Sequence, residues 1–208
     1  MGKRNRTGGY TGRFQPGGEM KFVDEDHTIS MTSAPVAAST VLTGELAVIP
    51  QGNTQSTRVG RKCVLKSLQI RGYINYKPGT TDQAGDLAYI WLVQDTQTNG
   101  AHGSATDIFE SGNPTRVMRN MANSSRFRIL KRWVYRFQMT STNIAGTEHV
   151  DSYQVFDDYL KLNIPMEYDG TSGVIAQQRT NSLFFVVGSL IGSDAQLQFS
   201  TRLRFADP

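Results

Sequence analysis

The chain has 208 residues, 38% of them hydrophobic and 19% charged, with 20 glycines, one cysteine and a formal net charge of +4. That length fits one large domain or two small ones and suffices for a sizeable core, while a single cysteine excludes an intramolecular disulfide framework and, without other soft ligands, a zinc finger. The longest strongly apolar run, Leu183 to Ile191, is about half of the ~20 residues a spanning helix needs, so no membrane insertion is expected.

Residues 1–28 read as a flexible, basic, Gly-rich N-terminal arm. Gly8, Gly9, Gly12, Gly17 and Gly18 stand among polar and basic side chains that offer little apolar surface against the entropy of ordering. Lys3, Arg4, Arg6 and Arg13 would gather phosphates by counterion release without sequence preference, or simply keep the chain in solution. Residues 29–208 read as one folded domain that opens on a connector of small residues from Ile29 to about Val41.

That domain reads as β throughout. Strands are expected at 41–49, 62–76, 87–93, 126–138, 153–156, 159–168, 183–191 and 195–205. In the last, Leu197, Phe199, Thr201, Leu203 and Phe205 alternate with Gln196, Gln198, Ser200, Arg202 and Arg204, the period of a strand with one buried face. Residues 87–93 and 183–191 are apolar on both faces, as strands covered on both sides would be. Helical periodicity reaches a turn only near 107–111, and the connections 96–125 and 140–152 are long. Many short strands with long loops argue for a β-sandwich or barrel.

Charge is distributed unevenly. Windows 1–21, 46–81 and 111–147 hold eighteen of the 22 basic residues but only one acid, Glu19. One-sign blocks repel themselves unless a partner supplies the opposite charge, and a polyanion is the usual partner. The run from Arg126 to Gln138 carries the point furthest. As a strand it puts Phe127, Ile129, Trp133, Tyr135 and Phe137 on one face and Arg126, Arg128, Arg132 and Arg136 on the other, with Lys131 out of phase and hence a bend or bulge beside it. A guanidinium-lined face suits phosphate oxygens, although the same arginines could pair with carboxylates of a neighbouring strand or subunit. Arg58, Arg61, Lys62 and Lys66 divide in the same way between phosphate contact and protection of a sheet edge.

No catalytic constellation assembles, so no enzyme, cofactor or metal site is expected. His27, His102 and His149 lack ligand spacing, and Cys63 opens a strand with no histidine nearby. Asp24-Glu25-Asp26 and Asp157-Asp158 alternate faces and lack the Gly and Glu of a calcium loop. Gly52 to Lys62 has the wrong spacing for a phosphate loop.

Five blocks in order carry a resemblance: Arg58 to Gly72 (RVGRKCVLKSLQIRG), Phe127 to Lys131 (FRILK), Lys161 to Thr171 (KLNIPMEYDGT), Thr180 to Val187 (TNSLFFVV) and Ser200 to Asp207 (STRLRFAD). Over roughly residues 40–208 the chain resembles capsid proteins of circular Rep-encoding single-stranded DNA viruses, the circovirus-like group. The resemblance implies an eight-stranded single jelly roll, about sixty copies of which close into a T=1 icosahedral shell. It also implies a circular single-stranded DNA genome on the inner face, the arm inside, and assembly in the host nucleus before residence in the virion. Arg58, Arg61 and Lys62 match basic positions of the family's first block. The family's long Arg-rich arm is represented only by Lys3, Arg4, Arg6 and Arg13. A satellite RNA virus coat protein would share this fold and charge layout, and a β-sandwich glycan-binding module would share the fold. Viral shells also bind sulfated glycans, so the resemblance leaves host surface glycans as a further candidate partner.

Overall fold

The computed structural model describes residues 19–31, 45–76, 87–98, 100–110, 118–137, 152–189 and 195–207. Among them the chain forms β1 (Met20–Met31), β2 (Lys62–Tyr76), β3 (Leu87–Asp95), α1 (Ala105–Ile108), β4 (Phe127–Arg136), β5 (Ser152–Tyr168), a 3-10 turn (Ile175–Gln177), β6 (Gln178–Thr180), β7 (Ser182–Ser189) and β8 (Ala195–Ala206). Period-two alternation decides which side chains leave water. On β8, Leu197, Phe199, Leu203 and Phe205 are buried, whereas Ser200 and Arg202 are exposed.

Two antiparallel sheets result, in the orders β1-β8-β2-β5-β6 and β4-β3-β7. The first and last strands lie side by side. Between them the chain passes from the larger sheet (β2) to the smaller (β3, β4), returns (β5, β6), crosses again (β7) and closes on β8. Leu46 N–H donates to Leu183 O at 3.2 Å, which sets segment 45–49 against β7. This is the wrapping of a jelly-roll β-sandwich.

The inward faces meet in one core that includes Leu65, Leu68 and Ile70 of β2, Ile90 and Leu92 of β3, Phe185 and Val187 of β7, and Leu197 and Phe205 of β8. Each such side chain contributes about 1.5–3 kcal/mol by leaving water. A second cluster lies on the far side of the smaller sheet, where Tyr89, Trp91, Val93, Phe184 and Val186 are covered by Ala105, Ile108 and Phe109. Ser104 and Asp107 close a capping box that fixes α1 there. Cover on both sides explains why β3 and β7 are apolar on both faces.

Structure and sequence reading differ at three elements. Residues 20–31, expected as the end of an arm over 1–28 and the start of a connector, are β1, paired with β8 from Met20↔Ala206 to Met31↔Ala195. The folded domain therefore includes residues from 20 onward rather than from 29. Its alternation is masked because Glu25 and His27 share the inward side with Val23 and Ile29, opposite Thr201 and Phe199. β5 runs unbroken through Asp157 and Asp158, where two strands are expected. Segment 45–49 buries Leu46 and Ile49 without being a strand.

Candidate nucleic-acid interface

β4 holds the arginines on which the charge argument leans most. Leu92 pairs with Lys131 and Val93 with Ile129, so Leu130 is bulged out of the ladder, beside Lys131 as expected. A one-residue bulge reverses which side chains share a face. Beyond it Trp133, Tyr135 and Phe137 face the main core, while before it Phe127 and Ile129 join the second cluster. The single aromatic face expected over 127–137 is thereby divided. The arginines divide too. Arg132 and Arg136, opposite Trp91 and Leu87, lie on the outer side of the sheet, and Arg128, opposite Gln94, lies on the other.

Arg126 precedes the strand and is committed within the subunit. Its Nε and Nη2 donate to the two carboxylate oxygens of Asp95, each at 2.8 Å, and Asp95 is 0% exposed. That bidentate bond holds the guanidinium pKa above its ordinary value. The carboxylate-pairing reading thus describes Arg126. Arg128, Arg132 and Arg136 are exposed and have no carboxylate partner among the described residues, and Arg132 lies 5.3 Å above the Tyr89 ring.

The first basic block separates in a similar way. Arg58 is 0% exposed: Nε donates to Ile49 O at 3.0 Å, Nη1 and Nη2 donate to Gly60 O and Gly170 O, and the guanidinium sits 4.2 Å from the Tyr168 ring centroid. Burial pushes its pKa down. The sequence leaves Arg58 open between phosphate contact and protection of a sheet edge; in the subunit it is a buried bracket for three carbonyls. Arg61 is exposed and pairs with Asp169 at 2.7 Å, Lys62 reaches Glu167 at 3.8 Å, and Lys66 donates to Asn163 at 3.3 Å. Lys3, Arg4, Arg6 and Arg13 lie outside the described residues.

Strand pairing undoes much of the charge segregation. Asp24 on β1 accepts from Arg202 on β8 at 2.7 and 2.6 Å, and that hydrogen bond lowers its pKa. Arg71 on β2 meets Asp157 on β5 at 2.9 Å, and Lys131 on β4 crosses the sandwich to Asp158 at 3.0 Å. Asp158 also accepts from the Trp133 indole. Lys21, 3% exposed, meets Asp207 at 2.9 Å and donates to Thr57 O. Lys21, Arg71 and Lys131, which look unopposed along the chain, meet acids brought beside them by the fold.

Comparison with known proteins decides the family. Residues 24–207 match the family described as geminivirus coat protein/nuclear export factor BR1. The chain belongs to that family. A crystal structure of a 60-mer BFDV capsid protein is similar at 10% identity and a TM-score of 0.25, covering 90% of this chain and 92% of that one. No curated protein matches the chain. The function is that of a viral coat protein, located in the virion.

In this coat protein the residues weighed for catalysis have structural settings. Burial pushes the Cys63 thiol up to about 12 and the His102 imidazole down to about 4. His27 stacks on Phe199 at 4.8 Å, and His149 lies outside the described residues. Sequence reasoning missed the outward face of the larger sheet, where Tyr153, Val155 and Tyr159 of β5 are 56%, 79% and 56% exposed. The signal was there: odd positions 153–161 alternate with inward Phe156 and Leu160, but Asp157 and Lys161 among them read as an ordinary solvated face.

Proposed function

We propose that this coat protein closes about sixty copies of itself into a T=1 shell around circular single-stranded DNA, held by nonspecific electrostatic contacts. The observation that carries the reading is the charge left over after folding: Arg128, Arg132 and Arg136 on the edge strand of the smaller sheet keep their guanidinium groups free of carboxylates among the described residues. Lys3, Arg4, Arg6 and Arg13 are proposed with them on their charge in the sequence alone, and Arg61 and Lys62 add exposed charge in solvent-facing ion pairs. Arg58 and Arg126 are outside it, since their donors are spent on carbonyls and on Asp95. Assembly in the host nucleus follows from the genome class proposed.

The test is expression of the full chain, electron microscopy of the product and nuclease treatment of what it carries. Particles of about 20 nm holding DNase-sensitive, RNase-resistant nucleic acid are expected. RNase-sensitive cargo would point instead to a satellite RNA virus coat. The triple change R128Q, R132Q and R136Q should lower nucleic-acid retention and reduce the salt slope of single-strand binding by about 2, with particles still forming. Retention unchanged with assembly lost would make these arginines subunit contacts. A strictly monomeric chain that binds single-stranded DNA would overturn the shell and fit the nuclear export factor named in the same family.

A further inference from the structure

The outward face of the larger sheet has a composition that neither subunit burial nor plain solvation explains. The register sets β5 residues Tyr153, Val155, Asp157, Tyr159 and Lys161 on that face, with Tyr73 of β2 opposite Val155 and Arg71 opposite Asp157. Tyr73 and Tyr153 rings stand 6.0 Å apart at 55°, and the Tyr73 hydroxyl donates to Gln198 Oε1 at 2.5 Å. Beside them opens a cleft of about 700 Å³ lined by Asp26, Arg71, Tyr73, Tyr153, Gln198 and Ser200. Aromatic faces thus adjoin side chains that can donate to and accept from a base edge.

We infer that this face is a stacking platform for the unpaired bases of single-stranded nucleic acid, with Tyr153 and Tyr159 as the principal ring contacts and Tyr73 as the wall of the cleft. The inference rests on the packaging reading above and adds a base-contacting surface to it. Three features favour a nucleic acid strand over a second subunit. First, Arg71–Asp157 separates Tyr159 from the small group of Tyr73, Tyr153 and Val155, and Arg202–Asp24 lies further across the sheet, so the described residues offer small apolar patches broken by charge rather than the broad dry one a subunit core would cover. Second, Lys161 and Arg204 form no ion pair among the described residues, and Lys66 is held only by Asn163. They leave one end of the face positive and complementary to phosphate. Third, Tyr153 and Tyr159 lie six residues apart on one strand, about 20 Å, a span of about six nucleotides stacked at ~3.4 Å each. Every base has a π-face, so such stacking is tolerant of sequence, as a packaging protein requires. A duplex hides those faces and would gain nothing from the tyrosines.

Fluorescence anisotropy with a labelled twenty-nucleotide dT strand and an abasic strand of equal length tests this on the full chain. Tyr153→Ala and Tyr159→Ala should each weaken dT binding about tenfold without changing its salt slope, and leave abasic-strand binding unchanged. Tyr153→Phe and Tyr159→Phe should bind as the wild type does, because the ring is kept; both tyrosines are more than half exposed, so all four variants should fold. Wild-type dT binding in both alanine variants would overturn the platform, as would equal losses toward the dT and abasic strands. Loss of particle assembly with dT binding intact would show a subunit contact instead. A wild-type chain that binds neither strand would sink the packaging reading itself, which is a different result.

Discussion

His102 offers a sharp physical test of how this fold handles charge. Its side chain is 5% exposed, its ring lies 4.5 Å from the Phe184 ring, and neither ring nitrogen has a hydrogen-bond partner among the described residues. The groups facing it are Glu45, whose Oε1 is 4.0 Å from Nε2, and Asp95, whose carboxylate is already taken by Arg126. Burial therefore dominates and holds the imidazole neutral down to about 4, against an ordinary value of 6.5. Because the folded pKa is the lower one, the unfolded chain takes the proton first. Stability is full above 6.5 and is lost as pH falls toward 4. The gap is worth ~3 kcal/mol at most, and about 2 kcal/mol by pH 4.5 once partial solvation is allowed for. Glu45, raised by burial, acts with the opposite sign, so the measurement must cancel it. His102→Phe does so: it keeps Glu45 and the ring against Phe184 while removing the titrating group. Guanidinium unfolding of unassembled subunits, followed through buried Trp91 and Trp133, should show the wild type losing about 2 kcal/mol more than the variant between pH 7.5 and 4.5. Parallel pH profiles would refute the assignment.

Two substitutions probe the brackets of the sandwich. Arg126→Ala strands the fully buried Asp95 carboxylate and should cost about 3–5 kcal/mol in unfolding free energy, with the double change to R126A and D95N recovering much of it; a loss under 1 kcal/mol would mean that the pair is not buried in solution. A Cβ at Gly72 would lie 2.2 Å from Gln198 O and 2.5 Å from the Phe199 Cβ, so Gly72→Ala should force β2 and β8 apart at a cost of about 1–3 kcal/mol, read as a lowered denaturation midpoint.

The strands that alternate strictly or are apolar on both faces were legible in the residues themselves: β2, β3, β7 and β8 need no partner to be recognised. β1 was not, because its inward positions include Glu25 and His27, and its buried Lys21 makes sense only beside Asp207, at the other end of the chain. β5 looked interrupted at Asp157-Asp158, yet each acid has a cation on its own side of the sheet, Arg71 outside and Lys131 inside. The same limit governs the site. Sequence shows how many guanidinium groups there are and which stretch carries them, but Arg126, just before β4, and Asp95, at the end of β3, are 31 residues apart, and Arg58 reaches Gly170 across 112. Register, not proximity along the chain, decides which cations remain for a partner.

That sorting has a consequence for binding. Arg58 and Arg126 are locked by buried partners, whereas Arg71 and Asp157 are 66% and 55% exposed at their side chains and sit 2.9 Å apart in water. An exposed pair of this kind is worth about 0–1 kcal/mol, so a phosphate can replace the carboxylate at little cost. The exposed pairs are then a reserve of positive charge beyond the net +4, and Arg71 holds a place in it beside Tyr73 and the cleft. Asp157→Asn removes the competitor without touching the guanidinium. It should tighten binding of a dT strand about threefold and steepen its salt slope by about 0.7, one phosphate's worth, with the abasic strand responding equally because the contact is to the backbone. A steeper slope would place Arg71 on the strand's path; an unchanged slope would remove it from that path and leave the free arginines of β4, with Lys161 and Arg204, to account for the electrostatics.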